Sequence, residues 1–102
     1  MKQKIIGILS LSIVVGVMSC SKQKGQVTIY SQNYAWKIYI DDKYIGTTSS
    51  SYYSTPDCGA DGCVNTELDG GIHDVILVSG SESHHNTIDV KKNQCNIFQI
   101  PY

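Results

Sequence analysis

The chain has 102 residues, 41% of them hydrophobic, and its eight basic and nine acidic side chains give a net charge of −1. This length corresponds to a single small domain, which can bury only a modest core. All eight basic residues are lysines and they form no basic patch in the sequence, which argues against nucleic acid as a partner.

The first twenty residues have the layout of an export signal. Lys2 and Lys4 precede an apolar segment, residues 5–18, that is shorter than the roughly 20 residues of a transmembrane helix but fits the h-region of a secretory signal. The segment runs into Val17-Met18-Ser19-Cys20, which resembles the lipobox of bacterial lipoprotein precursors. The alternative interpretation of residues 5–18 is an uncleaved signal anchor or a buried core segment.

The resemblance to lipoprotein precursors implies that residues 1–19 are a signal peptide, cleaved before Cys20, and that Cys20 carries fatty acyl chains such as palmitate. Two or more acyl chains attach a protein stably to a membrane, so the expected location is the cell envelope. Ser21, rather than Asp, follows the cysteine, which is similar to lipoproteins sent to the outer membrane. Residues 20–26 are polar and predict a flexible tether; its lysines either contact anionic headgroups or are simply solvated, and a solvated linker is the expectation.

The remainder, residues 27–102, alternates between apolar and polar side chains with period two and has no amphipathic helical pattern, which predicts an all-β domain. Seven short strands with turn signals about every ten residues favour a small antiparallel β-sandwich. Ile72 to Val78 is almost continuously apolar, so we expect a strand buried on both faces, and Gly46 predicts a bulge or a close backbone approach. The predicted strands are 27–30, 36–40, 44–48, 64–68, 72–78, 87–90 and 95–102.

Residues 38–48 (IYIDDKYIGTT) resemble the hairpin of PEGA-type domains, and Leu68 followed by Gly71-Ile72-His73 resembles a later motif of the same family. The resemblance covers about half of the expected mature chain. It implies a small β-sandwich of bacterial surface proteins with a role in adhesion or binding, and a packing or hydrogen-bonding role for His73. The chain departs from the family pattern at Lys43, in place of the turn glycine, and after Thr48, where a long loop containing cysteines follows.

Three cysteines remain once Cys20 is assigned to lipid, so at most one intrachain disulfide and one free thiol are expected. Cys58 and Cys63 enclose a short loop with two glycines, which favours their pairing; Cys58–Cys95 and Cys63–Cys95 stay open as alternatives. A zinc site made of the three thiolates is disfavoured, because no C-x2-C pair is present and an exported protein folds where disulfides persist.

No catalytic constellation is recognisable in the sequence. His84 and His85 are adjacent, and neighbouring side chains of an extended chain point in opposite directions, so the pair is a poor chelate. Asp57 and Asp61 lack the spacing of a calcium-binding loop, and no serine lies in a G-x-S-x-G motif. We therefore expect no enzyme activity, no metal and no cofactor.

Aromatic residues are concentrated in one part of the chain, because seven of the nine fall between Tyr30 and Tyr53. Tyrosine offers a rigid, amphipathic contact surface that recurs at interfaces. Tyr39, Tyr44, Tyr52 and Tyr53 are the candidate binding residues, and the alternative is that they merely cover the surface of the sheet. The expected function is a non-catalytic binding or adhesion module for a cell-wall glycan or an envelope protein. The alternatives are a structural accessory subunit of an envelope complex and, least favoured, a small enzyme.

Overall fold

A computed structural model describes residues 23–33 and 35–102. The predicted signal peptide, the lipidation site Cys20 and residues 21–22 of the predicted tether lie outside the described residues. Among the described residues the structure contains seven strands and no helix, which confirms the predicted all-β class. The strands are β1 (Lys24–Ser31), β2 (Lys37–Ile40), β3 (Lys43–Thr47), β4 (Val64–Asp69), β5 (Gly71–Ser79), β6 (Glu82–Val90) and β7 (Cys95–Ile100).

The strands form two sheets that face each other. Sheet I has the order β4-β1-β7 and sheet II the order β3-β2-β5-β6. All neighbours in sheet II are antiparallel, but β1 and β7 run parallel in sheet I, so the expectation of a wholly antiparallel sandwich is wrong at this pair. The reason is that the chain crosses from sheet II to sheet I between β6 and β7. The last residues of β6 lie beside the start of β1, so β7 begins where β1 begins and both strands run in the same direction.

The core lies between the sheets and is built from alternate residues of the strands. On β1, Val27 and Ile29 point inward, and on β2 Ile38 and Ile40 do so, as period-two alternation predicts. Trp36, just before β2, is also buried. The other buried core residues are Val64, Val75, Leu77, Ile88, Val90 and Ile100, with Ile45, Leu68 and Phe98 packed against them.

Strand β1 is buried on its outer face as well, because the long loop between β3 and β4, residues 48–63, covers it. Thr28 Oγ1 accepts a hydrogen bond from the Gly59 amide at 3.0 Å and donates to Asn65 Oδ1 at 2.8 Å. Asn65 in turn donates to the Ala60 carbonyl. Thr28 and Tyr30 are therefore buried, and sheet I is sandwiched between the core and the covering loop.

A disulfide between Cys58 and Cys95 fastens this covering loop to β7. The favoured Cys58–Cys63 pairing is therefore wrong, and one of the two alternatives with Cys95 holds. Cys95 pairs in register with Gln26, so its side chain lies on the outer face of sheet I, where the loop crosses. Cys63 is the one free cysteine among the described residues, as expected from the odd count.

Strand boundaries differ from the prediction by more than two residues at two places. β1 begins at Lys24, inside the predicted tether, because Lys24 to Gln26 pair with the end of β4. β6 begins at Glu82, inside a predicted loop, since only Gly80 and Ser81 are needed to turn the chain from β5 into β6. Both errors have the same cause: polar residues extend a strand when a neighbouring strand is available to pair with them.

Gly46 lies at a bulge, as predicted, since the register between β2 and β3 skips one residue there. Ile38 faces Gly46 while Tyr39 faces Tyr44, so Ile45 is the extra residue and packs toward the core. Because of the bulge, the side chain of Thr47 lies on the outer face of sheet II, on the same side as Tyr44. The local consequence is that a tyrosine and a threonine three residues apart share one surface.

Candidate functional site

The outer face of sheet II is the open face of the sandwich. The register places Tyr44, Tyr39, Ile76 and His85 in one row across all four strands, β3 to β6. None of these side chains is buried. We call this row the tyrosine row.

Tyr39 and Tyr44 form the aromatic end of the tyrosine row. Their ring centroids lie 5.4 Å apart at an interplanar angle of 59°, a tilted arrangement within the range of favourable aromatic pairs. The hydroxyls of Tyr44 and Thr47 are 2.6 Å apart and share a hydrogen bond, which orients the Tyr44 ring along the strand. Tyr44 is nevertheless 52% exposed, so it offers its surface to a ligand.

Aliphatic side chains of β5 continue this surface. Ile76 and Val78 lie on the outer face and are half-buried, and Ile72, further along the same strand, is 68% exposed. The expectation that β5 is buried on both faces is therefore wrong, because only Val75 and Leu77 point into the core. No element covers the outer side of β5 within the described residues, so Ile72, Ile76 and Val78 remain in contact with solvent.

The four candidate tyrosines do not form one cluster. Tyr52 and Tyr53 belong to the covering loop of sheet I: the Tyr52 amide donates to the Ser31 carbonyl, and its hydroxyl donates to the Asp61 carbonyl at 2.5 Å. Tyr53 is 82% exposed. Tyr39 and Tyr44 thus remain together as a candidate site, and the loop tyrosines are separate from it.

His73 connects three segments near the end of the sandwich where β5 begins. Its Nδ1 lies 2.6 Å from Asp41 Oδ2 in the β2–β3 turn, and its Nε2 lies 2.7 Å from the Asp69 carbonyl oxygen at the end of β4. Asp41 Oδ1 accepts a further hydrogen bond from the Asp74 amide. The side chain therefore links sheet II to sheet I through hydrogen bonds, the kind of role that the resemblance implies for His73.

The two partners of His73 favour its charged form. A carboxylate and a carbonyl can only accept, and a neutral imidazole has one N–H, so both contacts are satisfied together only by the imidazolium. Burial alone would lower the pKa of His73, but the hydrogen bonds to Asp41 and Asp69 and the attraction of their charges outweigh it, so the pKa is raised above 6.5. The hydrogen bond from His73 lowers the pKa of Asp41 below 3.8.

His84 and His85 point to opposite faces of β6, as expected for neighbours on a strand. His84 stacks on Tyr102 with 3.6 Å between ring centroids, and both rings lie 5.9 Å from Trp36. His85 Nε2 lies 3.4 Å from Asp74 Oδ1 on the outer face of sheet II. The pair therefore cannot chelate one ion.

Metal-binding and thiol chemistry have little basis in the described part of the chain. Two of the three candidate thiolates form the disulfide, which rules out a zinc site of Cys58, Cys63 and Cys95. No group of three or more His, Cys, Asp or Glu side chains is arranged to hold a metal ion in residues 23–33 and 35–102. Burial raises the pKa of the Cys63 thiol, so its reactive thiolate form is disfavoured.

Sequence reasoning missed Ile76, Val78 and His85 as members of the open face, and Asp41 and Asp69 as partners of His73. The register between β2 and β5 aligns Tyr39 with Ile76, and two segments almost 40 residues apart carry no local signal of that alignment. The alternation of β5 contained a partial signal, because Asp74 interrupts the apolar run on the outward side.

No family model matches the chain, and neither a curated protein nor a solved structure is found to be similar to it. Over the residues that the structure describes, no helix is long and apolar enough to cross a membrane. The class of protein that fold and site define is therefore a small, disulfide-bonded, two-sheet β domain with one covered and one open outer face.

Proposed function

We propose that this protein is a lipid-anchored cell-envelope protein whose β domain binds a ligand, without catalysis, through the tyrosine row. One observation carries the proposal: the outer face of sheet I is covered, whereas the outer face of sheet II is open. The loop covers the outer face of sheet I and is fastened there by Cys58–Cys95, whereas Tyr39, Tyr44 and Ile76 stay accessible on sheet II. Exposed aromatic and aliphatic side chains that lie together mark binding surfaces more often than scattered ones do.

The anchoring part of the proposal is supported by residues 17–20 and their resemblance to a lipobox. The disulfide is consistent with it, because disulfides persist in exported proteins and are rare in the cytosol. Ser21 after the acylated cysteine supports the outer membrane as the destination. The PEGA-like motifs of residues 38–48 and 71–73 support an adhesion or binding role on the bacterial surface.

The ligand class that fits the tyrosine row best is a cell-wall glycan. The two tilted rings offer apolar faces for stacking, and hydroxyl groups at Tyr44 and Thr47 lie beside them. The neighbouring charged groups are few and of both signs, Lys37 and Asp74, so a highly charged ligand is disfavoured. An envelope protein is the other ligand class that a tyrosine surface serves.

The test replaces Tyr39 and Tyr44 by serine and measures retention of the full, lipidated protein on purified peptidoglycan and on envelope extracts. We expect the double variant to bind at least about tenfold more weakly, because tyrosines that a ligand covers often contribute most of the binding energy of an interface. Tyr53→Ser, which removes an exposed tyrosine of the covering loop, is the matched control and should bind normally. Unchanged binding by the Tyr39→Ser/Tyr44→Ser variant, with its β-sheet circular dichroism intact, would refute the tyrosine row as the site.

A second candidate function is that of an accessory subunit in an envelope complex, and a groove favours it. The groove has a volume of about 320 Å³ and lies between the edge strands β6 and β7, where an extended segment of a partner protein would add to an edge. Its apolar lining comes from Ile29, Val75, Leu77, Ile88, Ile97, Phe98, Ile100 and Pro101. Capture of the lipidated protein from its native envelope separates the candidates: a stoichiometric protein partner favours the subunit, and retained glycan favours the binding module.

A further inference from the structure

Five strand ends form the tip of one end of the sandwich, and the β2–β3 turn lies on the same side, further from the tip. β1 and β5 begin there, β4 and β6 end there, and β7 begins there, as the registers of the two sheets require. Two turns close this end: Gly70 between β4 and β5, and residues 91–94 between β6 and β7. We call this surface the N-terminal pole. It surrounds an open depression of about 810 Å³, which is lined by Gln23, Gly70, Gly71 and residues 89–94.

The chain that leads to β1 is fixed to both turns of the N-terminal pole. The Gln23 carbonyl accepts from the Gly70 amide at 3.0 Å, and the Gln23 side-chain oxygen accepts from Asn93 Nδ2 at 2.8 Å. The Asn93 amide donates to the Lys24 carbonyl at 2.9 Å. These bonds secure the chain from Gln23 onward, so most of the seven-residue tether expected from the sequence is not available as a spacer.

The distance from the pole to the acylation site is consequently short. Three residue steps separate Gln23 from Cys20, and an extended chain spans at most about 3.6 Å per residue, or roughly 11 Å in total. This limit holds for any conformation of residues 20–22. A bilayer into which Cys20 inserts acyl chains therefore lies next to the N-terminal pole.

The charge distribution also favours this side of the molecule. Three of the five lysines of residues 23–102 lie at the pole, Lys24, Lys91 and Lys92, together with three of the nine acidic residues, Glu67, Asp69 and Asp89. Lys24 pairs with Asp69 at 3.7 Å and Lys91 with Asp89 at 2.7 Å, but these pairs are exposed and hold the lysines only weakly. Lys92 is exposed and makes no ion pair among the described residues. The pole is thus the part of the domain in which lysines are most concentrated.

We infer that the N-terminal pole is a membrane-contacting surface that rests on the anionic headgroups of the bilayer and holds the strands upright on it. The inference rests on the proposed acylation of Cys20. Anionic lipids attract lysines within a Debye length of the surface, and the short linker keeps Lys91 and Lys92 within that range.

An upright domain has a defined working geometry. Nine residues of β5 at about 3.3 Å each place the opposite end of the sandwich roughly 30 Å from the headgroups. That end carries the Ser79–Glu82 turn and the stacked rings of His84 and Tyr102. The tyrosine row then faces sideways, parallel to the membrane plane, where it can contact a layer that runs along the membrane.

The test uses the acylated full chain in vesicles of phosphatidylethanolamine with and without phosphatidylglycerol, in a Cys63→Ser background. A fluorophore is attached either to Gln94→Cys, at the pole, or to Ser81→Cys, at the opposite end. A lipid with a nitroxide on its headgroup quenches dyes that lie at the surface. We expect loss of most fluorescence from the position-94 dye on anionic vesicles and no loss from the position-81 dye; equal quenching of both dyes would overturn the inference.

Lysine variants test the electrostatic part. Lys91→Gln and Lys92→Gln should each lower the ratio of docked to undocked protein on anionic vesicles by about fivefold, the factor that corresponds to ~1 kcal/mol per lysine. Lys37→Gln, which lies near the opposite end of sheet II, is the matched control with the same change of net charge, and an equal effect of this variant would contradict a specific pole. Mass spectrometry of Cys20 separates the two proposals: a chain without acyl groups refutes the anchor and with it the pole, whereas an acylated chain with equal quenching refutes the pole alone.

Discussion

His73 is the residue on which the joint between the two sheets depends most directly. It belongs to sheet II, yet it donates to the Asp69 carbonyl of sheet I and to the Asp41 carboxylate of the β2–β3 turn. A neutral ring can make only one of these donations. The joint is therefore complete only while the ring is charged, and its contribution to stability depends on pH.

The direction of that dependence follows from the two pKa shifts. The pKa of His73 is raised in the folded state, because its hydrogen bonds outweigh the opposing effect of burial. The stability that His73 contributes is therefore fully present below pH 6.5, the pKa in the unfolded state. It is lost as pH rises through the higher pKa of the folded state. The pKa of Asp41 is lowered by its hydrogen bond with His73, so its contribution is present above pH 3.8 and is lost as pH falls through the lower folded value. We expect the urea midpoint to fall from pH 6 to pH 9, and His73→Gln to flatten this fall.

His85→Gln is the matched control, because it removes an exposed histidine beside an aspartate and leaves the joint intact. Such exposed pairs contribute little to stability. Urea unfolding of the three proteins at several pH values gives the comparison. A fall between pH 6 and pH 9 that is as steep in the His73→Gln variant as in the parent protein would show that another group is responsible.

At the scale of elements, the disulfide joins the covering loop to β7 and makes the loop part of the fold. Cys58 and Cys95 are 37 residues apart, and the chain-entropy model assigns about 4 kcal/mol to closing a loop of that length. We expect Cys58→Ser/Cys95→Ser to lower the free energy of unfolding by about this amount, measured by urea denaturation. Cys63→Ser, which alters the free thiol, should change it by less than about 1 kcal/mol.

Peptide mapping of the non-reduced protein checks the pairing itself. A peptide that links the segment around Cys58 to the one around Cys95 is expected, together with one alkylated Cys63. Recovery of a Cys58–Cys63 peptide would contradict the pairing, and a double variant as stable as the parent protein would contradict its energetic role.

The disulfide also marks the limit of what the sequence could predict. Alternation along Trp36–Ile40 and Val64–Leu68 predicted strands and their inward residues correctly, since a strand's two faces are determined by its own residues. The pairing of Cys58 with Cys95 depends on β7 lying parallel to β1 under the loop, a contact between distant segments. The division of the four tyrosines into two groups has the same origin. Gly46 was predictable because the bulge is a local feature.

At the scale of the whole molecule, the covered and the open face give the two sheets different roles. Sheet I has β1 at its centre, buried on both sides, and its outer cover is a loop held by hydrogen bonds of Thr28 and by one disulfide. Sheet II has no cover on its outer face among the described residues, and its inner residues form its half of the core. The stability of sheet I should therefore depend on the loop, and that of sheet II much less.

Hydrogen exchange under native conditions tests this difference with and without a reductant. Reduction of Cys58–Cys95 frees the loop from β7, so that Thr28 and Tyr30 lose their cover and sheet I opens more often. Amides of β1 should then exchange faster, by at most ~10³-fold if the whole ~4 kcal/mol of the cross-link is lost, while those of β2 and β5 change little. The Cys63→Ser variant, treated in the same way, excludes an effect of the free thiol. If β1 and β5 accelerate equally, the sandwich opens as one cooperative unit and the two sheets do not differ. If β1 alone accelerates, the loop serves sheet I, and the open face of sheet II can accept a ligand without a change in the fold beneath it.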